Sequence, residues 1–198
     1  RMLVYAVQGA EGERHLVKVC EQVISGGAFT LAPYSGRLVA GVNARVQLFR
    51  WEAKGGGDVH VLVSEATQSG NILALYVETR GDFILVGDLM KSMSLLQYQP
   101  SDGTLQELAR EPEANWMTAV TFLDDDCFLG AENSCNLFVC RMKSEATTED
   151  ERSQLEVTGE YHLGEFINRF RYGSMVMQPA GAVDTAASGA AASAEIGA

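Results

Sequence analysis

Apolar positions in this chain fall in short runs broken by turn residues, with helical spacing confined to the neighbourhood of Ser144 to Leu155. Three segments share one order: GRLVAGVNARVQLFRWE from Gly36 to Glu52, GDFILVGDLMKSMSLLQYQ from Gly81 to Gln99, and DDCFLGAENSCNLFVCRM from Asp125 to Met142. Each opens on a turn residue and runs through apolar positions to a glycine, at Gly41, Gly87 and Gly130. Polar or small residues follow, then a second run in which apolar and polar positions alternate, as in Val46-Gln47-Leu48-Phe49. A period of two marks strands with unlike faces. The glycines recur at close to the ~40–45 residues that one four-stranded β-propeller blade occupies.

The other strands fall where such a blade needs them. Phe29 to Pro33, Asn71 to Glu78 and Trp116 to Leu123 precede the repeats and predict innermost strands. Asp58 to Glu65, Thr104 to Arg110 and Leu155 to Leu163 follow them, more polar and alternating, as outer strands with a solvated face. Ser35-Gly36, Arg80-Gly81-Asp82 and Ser101-Asp102-Gly103 supply turns. Arg1 to Gln8 and His15 to Ile24 read as the outer half of a preceding blade, and Arg169 to Met177 as the first strand of a following one. The expected fold is all-β: a partial, WD40-like propeller with about three full blades and two part-blades over residues 1–178. A ring open at both ends leaves strand edges unprotected. The chain therefore reads as a piece of a longer protein, dependent on neighbouring chain for solubility.

In this frame the Asp124-Asp125-Asp126 run is a turn, at the place of Ser35-Gly36 and Arg80-Gly81-Asp82 in the other repeats. Aspartate stabilises such turns by bonding its own backbone. KSEATTEDERSQ, Lys143 to Gln154, is an acidic insert between the last blade's third and fourth strands, with a short partner-binding helix as its alternative reading. Residues 179–198, rich in Ala, Gly and Ser, read as a flexible loop or linker.

Composition narrows the chemistry. With 15 basic against 26 acidic residues the formal charge is −11, and the basic residues are scattered rather than clustered. Strong direct nucleic-acid binding needs clustered Lys and Arg, so it is not expected of this segment. No apolar run approaches the ~20 residues of a membrane-crossing helix, and no membrane partner is expected. Cys20, Cys127, Cys135 and Cys140 form no C-x-x-C pair and have no adjacent histidine, which points to reduced, buried cysteines rather than zinc. Gly55-Gly56-Gly57 lacks the Lys-Ser/Thr of a phosphate cradle and reads as a hairpin loop. Glu132 and Asp125 could meet at a strand end, yet no catalytic motif accompanies them. The expectation is a binding surface with no catalytic residue, cofactor or metal. Trp116, following the turn Pro112 to Asn115, is its leading candidate, with inter-blade packing as the competing role.

Three stretches carry a family resemblance: GNILALYVETRGDFILVGDLMKSMSLLQY, NWMTAVTFLDDDCFLGAENSCNLFVC and HLGEFINRF. Over Arg1 to Gln178 the chain resembles the large subunits of UV-damaged DNA-binding complexes, and within them the third of three propellers. The resemblance implies an adaptor of a cullin-4 RING ubiquitin ligase, nuclear and cytoplasmic, acting in DNA repair. WD40-type substrate receptors would dock on this propeller, cullin-4 on a second propeller outside the chain, and damaged DNA would be met only through a receptor. The implied partner-binding residues are Leu73, Leu75 and Tyr76 on one inner strand, Lys91 on the next turn, Arg110 and Trp116, and Phe166 and Asn168 on the last strand. Lys91 stands where the family more often has Arg, removing a planar bidentate donor. Glu113-Ala114 also departs from the family, and residues after Pro179 have no clear counterpart. Scaffolds of splicing and polyadenylation complexes are the related alternative.

Overall fold

A computed structural model describes residues 1–54, 59–143 and 145–173. The chain begins with a two-stranded sheet, β1 (Met2–Gln8) and β2 (His15–Gln22). Blade one follows as β3 (Ala28–Tyr34), β4 (Arg37–Val42), β5 (Arg45–Lys54) and β6 (Val59–Ser69). Blade two is β7 (Ala74–Arg80), β8 (Phe83–Asp88), β9 (Met93–Gln99) and β10 (Thr104–Arg110). Blade three is β11 (Met117–Phe122), β12 (Cys127–Glu132), β13 (Asn136–Met142) and β14 (Leu155–His162). Within each sheet every strand pairs antiparallel with its neighbour in sequence. The first strands β3, β7 and β11 lie side by side, and the last strands β2, β6 and β10 are neighbours in turn. That is the radial packing of a propeller, as the repeat predicts.

The core is divided into layers between blades. Val39, Val46 and Leu48 of blade one meet Val77, Ile84, Val86 and Leu96 of blade two. Leu85, Met93 and Leu95 on blade two's other face meet Met117, Val120, Phe128 and Cys140 of blade three. Met2 and Cys20 of the two-stranded sheet close over Ala40, Val42, Phe49 and Leu62. A side chain of this size contributes ~1.5–3 kcal/mol when fully buried, so each layer is an adhesive seam between sheets.

Register corrects the glycine repeat in one place. Each first strand carries an irregularity after its opening residue, at Ala28/Thr30, Ala74/Tyr76 and Met117/Ala119. The first pairs beyond it are Thr30 with Gly41, Tyr76 with Gly87, and Ala119 with Ala131. Ala131, not Gly130, is therefore the counterpart of Gly41 and Gly87. The distinction is physical. A Cβ on Gly41 would lie 2.5 Å from the Ala74 carbonyl oxygen and one on Gly87 2.9 Å from Val120, both in the following blade. A Cβ on Gly130 would instead meet Met93, Met117 and Phe138 on the opposite face.

Asp124 to Asp126 form the β11–β12 turn, where the Asp124 carboxylate accepts the Asp125 amide at 2.9 Å. Arg80 from blade two lies 3.0 Å from Asp125, and Arg141 lies 3.5 Å from Asp126, so cations balance the run. The acidic insert contains a single helical turn, α1 (Glu149–Arg152), capped by the Thr148 hydroxyl and burying none of its residues. Two expectations change. Cys20 and Cys140 are buried, but Cys127 and Cys135 are only half-buried, because one opens β12 at its turn and the other sits in a turn at φ 65°. Residues 163–173 form no strand: among the described residues no partner strand lies alongside, and the segment is held by single contacts. These include amides of Leu163 and Gly164 on the Cys135 carbonyl and the Tyr172 hydroxyl on the Phe122 carbonyl. The rest of the strand expected up to Met177, the 179–198 linker and the Gly55 to Gly57 loop lie outside the described residues.

Candidate docking rim

One hydrogen bond recurs in every blade and fixes the end of the molecule where strands enter from the preceding blade. The amide of the residue after the second strand donates to the carbonyl of the residue before the first. It runs from Asn43 to Gly27 at 3.1 Å, Leu89 to Leu73 at 3.1 Å, and Asn133 to Trp116 at 2.9 Å. Gly27, Leu73 and Trp116 thus occupy one repeated position on a common rim. Two of them are candidate residues, and the repeat explains how. A loop residue locked by its carbonyl leaves its side chain free to point away from the blade.

Leu73 is half-buried, and Trp116 has half its surface open to solvent (50%). Neither is inside a strand: β7 opens at Ala74 and β11 at Met117. Residues 71–73 stay out of the ladder because the Ile72 and Leu73 amides are taken by the Asp88 carboxylate. Lys91, exposed on the β8–β9 turn, donates from Nζ to the Gly70 carbonyl at 2.6 Å. Arg110 reaches the Lys91 carbonyl at 3.3 Å and grips Glu107 with two nitrogens, at 2.8 and 2.6 Å. Both cations therefore act first as struts tying one rim loop to another. For that task a lone ammonium suffices, since Lys91 meets a single carbonyl.

Leu75 and Tyr76 belong to a second place. Leu75 sits in the β7 irregularity, which turns side chains out of the normal alternation. With Asn168 they line a cavity of about 650 Å³ on the inner side of β3, β7 and β11. Burial raises the Tyr76 hydroxyl above the ordinary tyrosine range, keeping it neutral. Phe166 is exposed on the segment after β14, and Arg169 beside Asn168 approaches Glu78 at 3.9 Å. The eight candidates thus divide between rim (Leu73, Lys91, Arg110, Trp116), inner channel (Leu75, Tyr76, Asn168) and the connecting segment (Phe166).

Sequence reasoning missed the groups that hold the rim. Asp88 and Glu111 are each 1% exposed. Glu111 accepts the Glu113 amide at 2.9 Å and the Asn115 side chain at 3.3 Å, shaping the loop that presents Trp116. It also missed Ile72 and Met90, exposed apolar residues flanking Leu73 and Lys91. For Met90 the signal was present as a large apolar residue just beyond the apolar run that ends at Gly87; Ile72 gave none, since Asn71 to Glu78 reads as one strand. Further round, Glu113, Glu132, Glu160 and His162 line a hollow of about 550 Å³ next to Asn115. Its carboxylates are partly spoken for, since Glu132 accepts the Ser134 amide at 3.0 Å and the Asn136 side chain. No group of three or more His, Cys, Asp or Glu suited to a metal occurs among the described residues. The rim as built offers apolar contact framed by oriented amides and carboxylates.

Stacked blades with a braced apolar rim define a β-propeller segment, and the chain belongs to the family described as the CPSF A subunit region, whose model matches residues 1–197. Its relatives include DNA damage-binding protein 1 of Solanum lycopersicum, 51% identical over 178 residues, 90% of this chain. Others are the protein of that name from Oryza sativa subsp. japonica and DNA damage-binding protein 1a of Arabidopsis thaliana, each 49% identical over the same share. The chain spans 16% of the length of each.

Proposed function

We propose that this chain is a non-catalytic adaptor segment that presents its rim to other proteins, within a cullin-4 RING ubiquitin ligase acting in DNA repair in nucleus and cytoplasm. WD40-type substrate receptors dock on the rim, while cullin-4 is held by a propeller outside this chain. Damaged DNA is reached through a receptor. The observation that carries the reading is the half-exposed Trp116, held by its own carbonyl at the repeated position that Leu73 takes in blade two, where Ile72 and Met90 are also exposed. Rigid aromatic anchors with apolar neighbours are where protein interfaces concentrate their binding energy. The names of the relatives support a link to DNA damage, and the net charge of −11 supports protein rather than nucleic-acid contact.

The test is a pull-down from cells of the intact protein carrying Trp116→Ala. Receptor affinity falls at least about thirtyfold, as for an interface anchor worth ≥2 kcal/mol, and recovery falls with it, while cullin-4 recovery and melting temperature stay unchanged. Unchanged receptor recovery with a melting point several degrees lower makes Trp116 a packing residue. Recovery of splicing or polyadenylation subunits in place of cullin-4 and receptors favours the RNA-processing scaffold.

A further inference from the structure

We infer that Asp88 is the positioning residue of the rim: its buried carboxylate sets the partner-facing loops of blade two in one shape before any partner arrives. The inference rests on the docking role proposed for this rim. The carboxylate takes four backbone amides from two separate loops. Oδ2 accepts Ile72 at 2.8 Å and Leu73 at 3.0 Å, from the entry into β7. Oδ1 accepts Met90 and Lys91, each at 2.9 Å, from the β8–β9 turn. Every residue so bonded is either an exposed apolar residue of the rim or a candidate contact. Asp88 itself is 1% exposed, so it can touch no partner and acts only through the loops it joins.

The neighbouring blades show that the fold alone does not ask for this. The register places Val42 and Glu132 at the same position in blades one and three. Val42 is apolar and packs in the core, and the nearby loop has, beyond its backbone bonds, one side-chain bond, from the Gly27 amide to the Asn43 side chain at 3.0 Å. Glu132 grips only its own hairpin, at Ser134 and Asn136. Only in blade two does the position bridge two rim loops. A loop fixed in advance loses less freedom on binding, and that saving appears as affinity.

The experiment uses the intact protein and a recombinant WD40-type receptor recovered in the pull-down, titrated well below the melting temperature. Asp88→Asn keeps the volume but turns an NH2 toward two of the four amides. Receptor affinity is expected to fall about tenfold, whereas Asn43→Ala, which cuts the blade-one loop bond, changes it less than about twofold. Amide exchange of Ile72, Leu73, Met90 and Lys91 speeds up together in Asp88→Asn. A positioning role then shows in a double-mutant cycle: with Ile72→Ala and Met90→Ala in place, Asp88→Asn costs less than about twofold more.

An unchanged affinity in Asp88→Asn, or an equal further loss in the Ile72→Ala/Met90→Ala background, overturns the inference while leaving the rim reading intact. If Ile72→Ala, Met90→Ala and Trp116→Ala all leave receptor affinity unchanged, the rim reading falls and takes this inference with it. Should Asp88→Asn not fold, the unaltered protein decides. Its four amides must be protected as one group, and exchange at exposed-loop rates overturns the proposal.

Discussion

Blades one and two have the same body and different rims. Their first strands share an irregularity at the same place, their second strands a glycine pressed against the next blade, and the faces they turn to that blade carry apolar residues at matching positions: Val39, Val46 and Leu48 in blade one, Leu85, Met93 and Leu95 in blade two. All six of those apolar residues are 0% exposed. At the rim the likeness stops. Where blade two has Leu73, blade one has Gly27, and where blade two has the four-amide Asp88, blade one has Val42. Inter-blade packing constrains the body, so the repeat persists there. The rim is released from that constraint and is free to differ, which is why function is sought on it.

If body and rim are separate, damage to the body lowers stability and leaves the rim as it was. Leu95→Ala empties a fully buried position in the layer between blades two and three. It is expected to cost about 2–5 kcal/mol of stability, read as a fall in melting temperature or denaturant midpoint. Receptor affinity of the folded fraction, measured at low temperature, should stay within about twofold. An affinity loss matching that of Trp116→Ala would show that body and rim are not separable. A smaller effect follows at the glycines. Gly41→Ala drives a methyl group into the Ala74 carbonyl oxygen, which is backbone and cannot turn aside. About 1–3 kcal/mol is expected from such overpacking. At Gly130 the obstructing atoms include the mobile ends of Met93 and Met117, and Gly130→Ala should cost less. Equal losses at the two sites would contradict the register that makes Ala131 the true counterpart of Gly41.

That register also shows what the sequence could and could not reveal. Strand order, blade period and the Asp124 to Asp126 turn were legible because alternation and turn residues are local signals. The third blade's Gly130-Ala131 pair was not, since either small residue fits an apolar run and only cross-strand pairing distinguishes them. The end of the loop before β7 was hidden for a different reason: Ile72 and Leu73 look like strand residues until Asp88, distant in sequence, captures their amides. Leu73 was found among the candidates through resemblance and Trp116 first through its place after the Pro112 to Asn115 turn, yet their equivalence came from a repeated carbonyl bond that no spacing in the sequence announces. Asp88 and Glu111 were invisible as supports because an acid in a turn reads as solvated. Arg169 to Met177 read as the first strand of a following blade, and over the described part, residues 169–173, no partner strand lies alongside to make one.

The smallest effect expected concerns the seam at the end of the blades away from the rim. Arg37 of blade one donates to Glu65 at 2.6 and 3.3 Å, the Tyr98 hydroxyl of blade two donates to the same carboxylate at 2.8 Å, and the guanidinium lies 5.1 Å from the Tyr98 ring centre. The hydrogen bond from Arg37 is the main reason that the Glu65 carboxyl titrates below its usual range, with Tyr98 adding to it and desolvation opposing. A carboxyl more acidic in the folded than in the unfolded protein binds its proton more readily after unfolding. Its stabilisation is therefore whole above the ordinary glutamate range, near pH ~4.3–4.5, and drains away as the pH falls through the lower folded value. Solvent reaches the pair, the Arg37 side chain being 31% exposed, which holds the contribution to about 1 kcal/mol. Glu65→Gln removes the charge and keeps the shape. The gap in melting temperature between the two proteins should be widest near neutrality, narrow as the pH falls below the ordinary glutamate range, and leave receptor affinity untouched throughout. A gap that is flat with pH would mean that Glu65 holds the blades by packing alone, and a loss of receptor would carry the rim down to the opposite end of the molecule.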